Sequence, residues 1–180
     1  MLEIVVPSTE IYDEVHDEFI EIKEQTLRLE HSLVSLSKWE SKWHKSFISK
    51  EGKTAEETVD YIRCMTLTQN VDPKTYLCLT QENIEAVNAY IDNPMTATTI
   101  NRNDGRKPNR ERITSELIYY WMISLGIPVE FQKWHLNRLL TLIEVCSIKN
   151  SPPKKMSKDE IMSRNRALNA ARRKKFNTKG

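Results

Sequence analysis

Glycine is scarce in this chain, with 4 in 180 residues. So few argue against a turn-rich all-β fold and against glycine loops that cradle phosphates. Cysteine is sparser still: Cys64, Cys78 and Cys146 are odd in number and widely spaced. They read as reduced thiols of a cytosolic protein, small core residues and not a disulfide frame. There is no run of about 18 apolar residues, so no membrane span is expected. The start, Met-Leu-Glu-Ile-Val-Val-Pro, lacks the basic opening and long apolar stretch of a signal peptide. Neither His-Glu-x-x-His nor Cys-x-x-Cys occurs, and His16, His31, His44 and His135 fall on different expected elements. No catalytic or metal constellation stands out, so the expectation is a non-enzyme that uses no metal or cofactor.

What the chain does have is a division of charge. Residues 149–180 hold 11 of the 27 lysines and arginines but only 2 of the 25 acidic residues. The tail is therefore strongly basic and the remainder acidic, although the whole carries only +2. The break falls at Lys149–Lys155, Lys-Asn-Ser-Pro-Pro-Lys-Lys, directly after the most apolar stretch, Ile113–Ile148. A folded body with an appended contact arm is the natural reading. A hydrophobic fraction of 39% with four Trp, six Tyr and four Phe is enough to anchor one small core.

Periodicity places the elements. Leu2–Val6 is a short β-prone run ended by Pro7. Phe19–Ile22 and Leu27–Glu30 alternate with period two and predict a two-stranded hairpin turning at Lys23–Thr26, although that turn lacks Gly or Asn. Such a hairpin is marginal alone and must pack on helices or pair with another chain. From Ser32 the spacing becomes helical through Leu33, Leu36, Trp39 or Glu40, and Trp43. Thr54 with Glu57 forms a capping box before Val59, Ile62 and Met65. Asp72-Pro73 opens a short turn, Thr80 caps a helix through Ile84, Val87 and Ile91, and Asn93-Pro94 stops it. Residues Thr96–Arg112 read as an exposed basic loop, with Asp104-Gly105 able to turn a hairpin. Thr114 or Ser115 caps a helix ending near Gly126, a left-handed C-terminal position. Pro128–Ile148 reads as one central helix, apolar over most of its circumference and expected to dominate stability. Ser157 with Glu160 suggests a second capping box, opening a basic C-terminal helix.

The expected fold is thus α+β and predominantly α-helical. It comprises an N-terminal β-rich segment (1–31), a helical body (32–148) and a basic C-terminal arm (149–180). Most chemical-looking features have plainer explanations. Trp39, Trp43 and His44 fit aromatic packing on an amphipathic helix, and His135 fits a hydrogen-bonded core or boundary residue. The acidic stretch Glu10–Glu21 fits a solvated face, and Cys64 or Cys146 as a nucleophile has little to support it. The candidates for partner binding are Trp121, Trp134, Leu139 and Ile143 in the apolar stretch, and Arg164, Arg166, Arg172, Arg173, Lys174 and Lys175 in the tail.

Several phrases have a family character. They are Tyr61-Ile62-Arg63-Cys64-Met65-Thr66, Asn93-Pro94-Met95-Thr96-Ala97-Thr98-Thr99, Thr114–Met122 and Lys133–Leu140. Pro152–Ser157 followed by Arg164-Asn165-Arg166-Ala167-Leu168-Asn169 completes the set. Across roughly residues 38–180 the chain resembles tail assembly chaperones of long-tailed, siphovirus-type bacteriophages. The N-terminal segment lies outside the resemblance. The resemblance implies a non-catalytic role in the host bacterial cytoplasm and absence from the mature virion. It implies a tape-measure protein as client, held soluble while tail-tube protein polymerises around it, and self-association into a homo-oligomer. Two other readings remain open: a nucleic-acid-associated protein using the basic loop and tail, or a structural tail or neck component. Nucleic acid is disfavoured, because Phe176 is the only aromatic in the tail and no recognition-helix pattern accompanies it.

Overall fold

The computed structural model describes residues 1–13, 17–49, 51–100, 112–151 and 158–177. Its elements are strands β1 (Leu2–Val6), β2 (Thr9–Asp13), β3 (Glu18–Ile22) and β4 (Gln25–Leu29), followed by helices α1 (Leu33–Trp43), α2 (Ala55–Met65), α3 (Gln81–Asp92), α4 (Ser115–Ser124), α5 (Leu136–Asn150) and α6 (Lys158–Phe176). The protein is α+β and mainly helical, with a small antiparallel β-structure at its N-terminus. The expected Asp104-Gly105 hairpin and the Ser157–Glu160 cap lie outside the described residues and side chains.

The strands form one long ribbon in a single register. Leu2 faces Leu29, Val6 faces Gln25, Thr9 faces Ile22 and Asp13 faces Glu18. The hairpin expected between Phe19–Ile22 and Leu27–Glu30 is therefore corrected. Those runs lie one after the other on the same side of the ribbon and pair with β2 and β1. Lys23–Thr26 lacks the residues a tight reversal needs, so the chain reverses between Asp13 and Glu18, with Asp17 at φ 56°. The β1–β4 and β2–β3 ladders are interrupted at Pro7, which has no amide hydrogen to donate.

The base of the ribbon is tied to the helices. Ile4, Val6, Leu27 and Leu29 are buried against Trp39, Tyr61, Ile62, Met65, Tyr76, Val87 and Tyr90. A second cluster joins Leu33 and Leu36 to Ile118, Met122, Leu136, Leu139 and Ile143. Helix α1 supplies residues to both. It starts from a capping box in which Ser32 and Ser35 satisfy each other's backbone amides. It ends at His44, in the left-handed region at φ 52°. Trp39 is the largest side chain it buries, and the indole Nε1 donates to the Glu57 carbonyl at 2.8 Å.

Thr54 and Glu57 form the predicted capping box of α2. Glu57 also pairs with Lys45, and Asp60 accepts from Lys42 at 2.5 Å and from Trp43 Nε1 at 2.9 Å. The Lys45 hydrogen bond, with the Thr54 amide, holds the Glu57 carboxyl below its ordinary value. At Asp60 burial pushes upward, but the Lys42 and Trp43 hydrogen bonds outweigh it and the pKa is lowered.

The expected helix Pro128–Ile148 is also corrected. Val129–Lys133 is a 3-10 turn, Trp134 is extended, and α5 begins only at Leu136. The cause is tertiary. His135 forms an isolated antiparallel bridge with Ser32, and the Leu136 amide donates to the His31 carbonyl at 2.7 Å. That bridge takes the backbone out of helix geometry. Nor is α5 buried all round: only Leu136, Leu139 and Ile143 are fully inside, and Ile148 is exposed. The element shared by both apolar clusters is α1, not α5.

Two compact units, residues 1–147 and 148–180, divide the chain within the last turn of α5. The second contains α6, whose described side chains are all exposed.

Candidate functional site

Two places hold chemistry worth building up: a buried polar centre and the outer surface of α4. The centre assembles around His31 and His135, whose rings meet edge-on with centroids 5.1 Å apart. The β4–α1 junction supplies His31, and the start of α5 supplies His135. His31 Nδ1 shares a 2.6 Å hydrogen bond with the Tyr61 hydroxyl. His135 Nε2 lies 3.0 Å from the Tyr90 carbonyl, and its Nδ1 lies 3.3 Å from the Asn137 amide. A carbonyl only accepts and an amide only donates, so His135 is the neutral Nε2–H tautomer. Burial, reinforced by the neighbouring His135, pushes the His31 pKa down to about 3. Burial also lowers that of His135, against the opposing pull of the Tyr90 carbonyl and Glu30. Tyr90 donates to Glu30 at 2.8 Å, and burial together with this bond raises its pKa.

These groups are satisfied by one another. Asn137 continues the pattern, donating to the carbonyls of Ile91 and Asn93, each at 2.8 Å. A cleft of about 280 Å³ opens beside them, lined by His31, Phe47, Ile91, Leu136, Asn137 and Leu140 among others. A neutral histidine pair, hydrogen-bonded at His31 Nδ1 and at both ring nitrogens of His135, ties together the β4–α1 junction, α2, α3 and α5. Among the described residues no group of three or more His, Cys, Asp or Glu is placed to hold a metal ion. Burial raises the Cys64 thiol pKa, which opposes thiolate formation. No helix among the described residues is long and apolar enough to cross a membrane.

The second place is built on α4. Thr114 caps it, and the Glu40 carboxylate of α1 reaches its first turn, accepting from the Ser115 amide at 2.7 Å and the Phe47 amide at 2.9 Å. At the other end Gly126, at φ 67°, makes the left-handed exit that the sequence indicates. The Ile127 amide reaches the Met122 carbonyl at 2.8 Å and the Gly126 amide reaches Ile123 at 3.2 Å, the paired bonds of a Schellman motif. Both ends are thus fixed. Ser115, Ile118 and Met122 face inward, whereas Tyr120 is 63% and Ile123 79% exposed. Three residues apart, these two share the outward side. Val129, 57% exposed, follows after the turn.

We expect Glu40→Gln to cost about 1–2 kcal/mol, because the amide has a single accepting oxygen and its NH2 group would face the other backbone N–H. Urea unfolding with α4 helicity followed by circular dichroism measures it.

The partner-binding candidates fall in different settings. Leu139 is fully buried and Ile143 nearly so, packed against α1 and α4 residues. Trp121 is half-buried at the rim of that cluster. Trp134, also half-buried, stacks on Phe131 with centroids 4.1 Å apart, and Arg138 lies 4.1 Å over its ring. Arg164, Arg166, Arg172, Arg173, Lys174 and Lys175 are all exposed on α6. Sequence reasoning missed Tyr120 and Ile123 as outward residues. The signal was available: with Ile118 and Met122 inside, the helical period turns Tyr120 and Ile123 away. Arg112 of the basic loop pairs with Glu51 at 3.2 Å, and residues 101–111 lie outside the described residues.

No known protein family, curated protein or solved structure matches this chain.

Proposed function

We propose that the protein is a non-catalytic tail assembly chaperone of a long-tailed phage, which binds the tape-measure protein and keeps it soluble while the tail tube forms. The observation that carries the reading is the outward side of α4. A rigid helix, capped at both ends, presents Tyr120 and Ile123 to solvent instead of to its own core. Large exposed side chains on a fixed element are what a helix-binding surface requires, since an apolar strip receives the apolar face of a client helix. The half-buried Trp121 and the Phe131–Trp134 stack add aromatic area beside it in sequence. The phrases that resemble those of tail assembly chaperones point the same way. Under this reading the protein works as an oligomer in the infected bacterium, meets tail-tube protein as the tube grows, and is missing from finished virions.

Co-expression with the tape-measure protein, followed by pull-down of the soluble fraction, tests the proposal. Soluble client should depend on this chain. The double variant Tyr120→Glu, Ile123→Glu should lower client recovery at least about tenfold, the scale of losing one well-packed apolar anchor. Its melting temperature should stay close to that of the parent, since both side chains are exposed. Tape-measure protein that is equally soluble without the chaperone would defeat the assignment.

A further inference from the structure

We propose that the outer face of the β2–β3 ribbon, built from Glu10, Tyr12, Phe19 and Glu21, is a docking site for helix α6 of a second copy of this chain. The register places Glu10 directly opposite Glu21, and Tyr12 directly opposite Phe19. Alternation along the strands puts both pairs on one face, with Ile11 and Ile20 on the other. That outer face is unfavourable when bare. Carboxylates directly across a ladder repel one another. The Tyr12 and Phe19 rings touch, with centroids 5.2 Å apart, yet remain 47% and 73% exposed. Asp17 hydrogen-bonds the Tyr12 hydroxyl at the tip of the face. A two-stranded ribbon gains little stability by itself, and this one projects beyond the buried base at Ile4, Val6, Leu27 and Leu29.

Charge identifies the occupant. The stretch Thr9–Ile22 contains no lysine or arginine, and the chain from Ile161 to its last residue contains no aspartate or glutamate. Helix α6 also carries exposed apolar residues: Ile161 is 44%, Leu168 46% and Phe176 66% exposed. At about 100° per residue these three fall in one sector of the helix, which Arg172 and Lys175 share. The opposite sector holds Arg166, Ala167, Ala170 and Lys174, so the large apolar residues, more than the cations, distinguish the two sides. One side of α6 is therefore both cationic and apolar.

The spacings agree as well. Directly opposed strand residues stand about 5 Å apart, and helix residues three apart are about 5–6 Å apart. Arg172 and Lys175 can answer Glu10 and Glu21 while Phe176, next to Lys175, covers the Tyr12–Phe19 pair. Each copy carries one ribbon and one helix, so the contact is head-to-tail and propagates from copy to copy into a ring or an open chain. The inference concerns self-association and holds or fails separately from what α4 binds.

Sedimentation velocity on nuclease-treated full-length protein without any client tests it. Self-association should grow with protein concentration and weaken at least about tenfold between about 50 mM and about 500 mM NaCl. The charge reversals Glu10→Lys with Glu21→Lys, and Arg172→Glu with Lys175→Glu, should each abolish it. Mixing the two reversed proteins should restore a mixed assembly. If lysine at both positions unfolds the ribbon, Glu10→Gln with Glu21→Gln should still weaken association. A chain that stays monomeric at every concentration, reversals that assemble like the parent, or a mixture that fails to recover would each overturn the proposal. So would a basic-helix reversal that lowers nucleic-acid binding and leaves self-association unchanged.

Discussion

Trp39→Ala should destabilise the protein by about 3–5 kcal/mol, the largest effect expected of any single substitution. Trp39 is 1% exposed and lies on the helix that serves both apolar clusters. Its ring meets Phe47 and Tyr61 edge-on, at 5.1 and 6.4 Å between centroids, and lies 6.2 Å from Trp43. Phe47 and Tyr61 in turn stack at 3.7 Å. Truncation would leave a ring-sized void among side chains that cannot all collapse inward. It would also leave the Glu57 carbonyl without the indole donor at 2.8 Å. Against a total stability of about 5–15 kcal/mol for an ordinary domain, the loss is a large fraction. Guanidinium unfolding followed by the fluorescence of the remaining tryptophans measures it. Trp39→Phe should recover part of the loss, because it keeps apolar volume and forfeits the N–H. Equal melting temperatures for parent and Trp39→Ala would show that α1 does not join the two clusters energetically.

The second large effect is acid sensitivity. His31 is 2% exposed and its pKa lies at about 3, whereas an unfolded histidine titrates near about 6.5. The folded state therefore binds fewer protons than the unfolded state below about pH 6.5, and stability falls as pH falls. The stabilisation is fully present above the unfolded value and is lost progressively on the way down to the folded one. One such group gives a slope of up to about 1.4 kcal/mol per pH unit, so about 2–3 kcal/mol disappears between about pH 6.5 and pH 4.5. His135, also lowered, acts in the same direction. Glu57 and Asp60, whose pKa values are depressed, begin to contribute only lower, near the ordinary carboxylate range. The two windows are separable. Melting temperature against pH should fall steeply for the parent over the upper window and more gently for His31→Gln. Parallel curves for the two proteins would mean that His31 takes up its proton without leaving the buried centre.

Local signals in the sequence survive folding well. Thr54 with Glu57, Thr80, Thr114 and Gly126 each mark the helix boundary expected of them, because capping satisfies backbone groups within a few residues. Asp72-Pro73 opens its short turn for the same reason. What sequence could not reveal is long-range pairing. Phe19–Ile22 and Leu27–Glu30 alternate as strands do, but alternation names a strand and not its partner, and the actual partners precede both. The Pro128–Ile148 pattern is continuous in hydrophobicity, yet a bridge to Ser32, more than a hundred positions earlier, opens it at His135. The His31–His135 contact arises from that same bridge, so neither histidine announces the other. His135 was legible only as a hydrogen-bonded interior residue, and the Tyr90 carbonyl is its partner. On the candidate surface, exposure was the missing quantity. Leu139 and Ile143 are as apolar as Ile123, but they point at α1 and α4 residues and Ile123 points at water.

The ribbon's constant register has one more consequence, for how such an arm can evolve. Every rung obeys one pairing rule, and Pro7 separates the distal rungs from those embedded in the body. Insertion or deletion of two residues in each distal strand would lengthen or shorten the arm while the same face still looks outward. A change of one residue per strand would bring the isoleucine rungs to the side where carboxylates and aromatic rings now stand. Descendants of this chain can therefore differ in reach by even steps, whereas odd steps would trade a cation-seeking face for a greasy one.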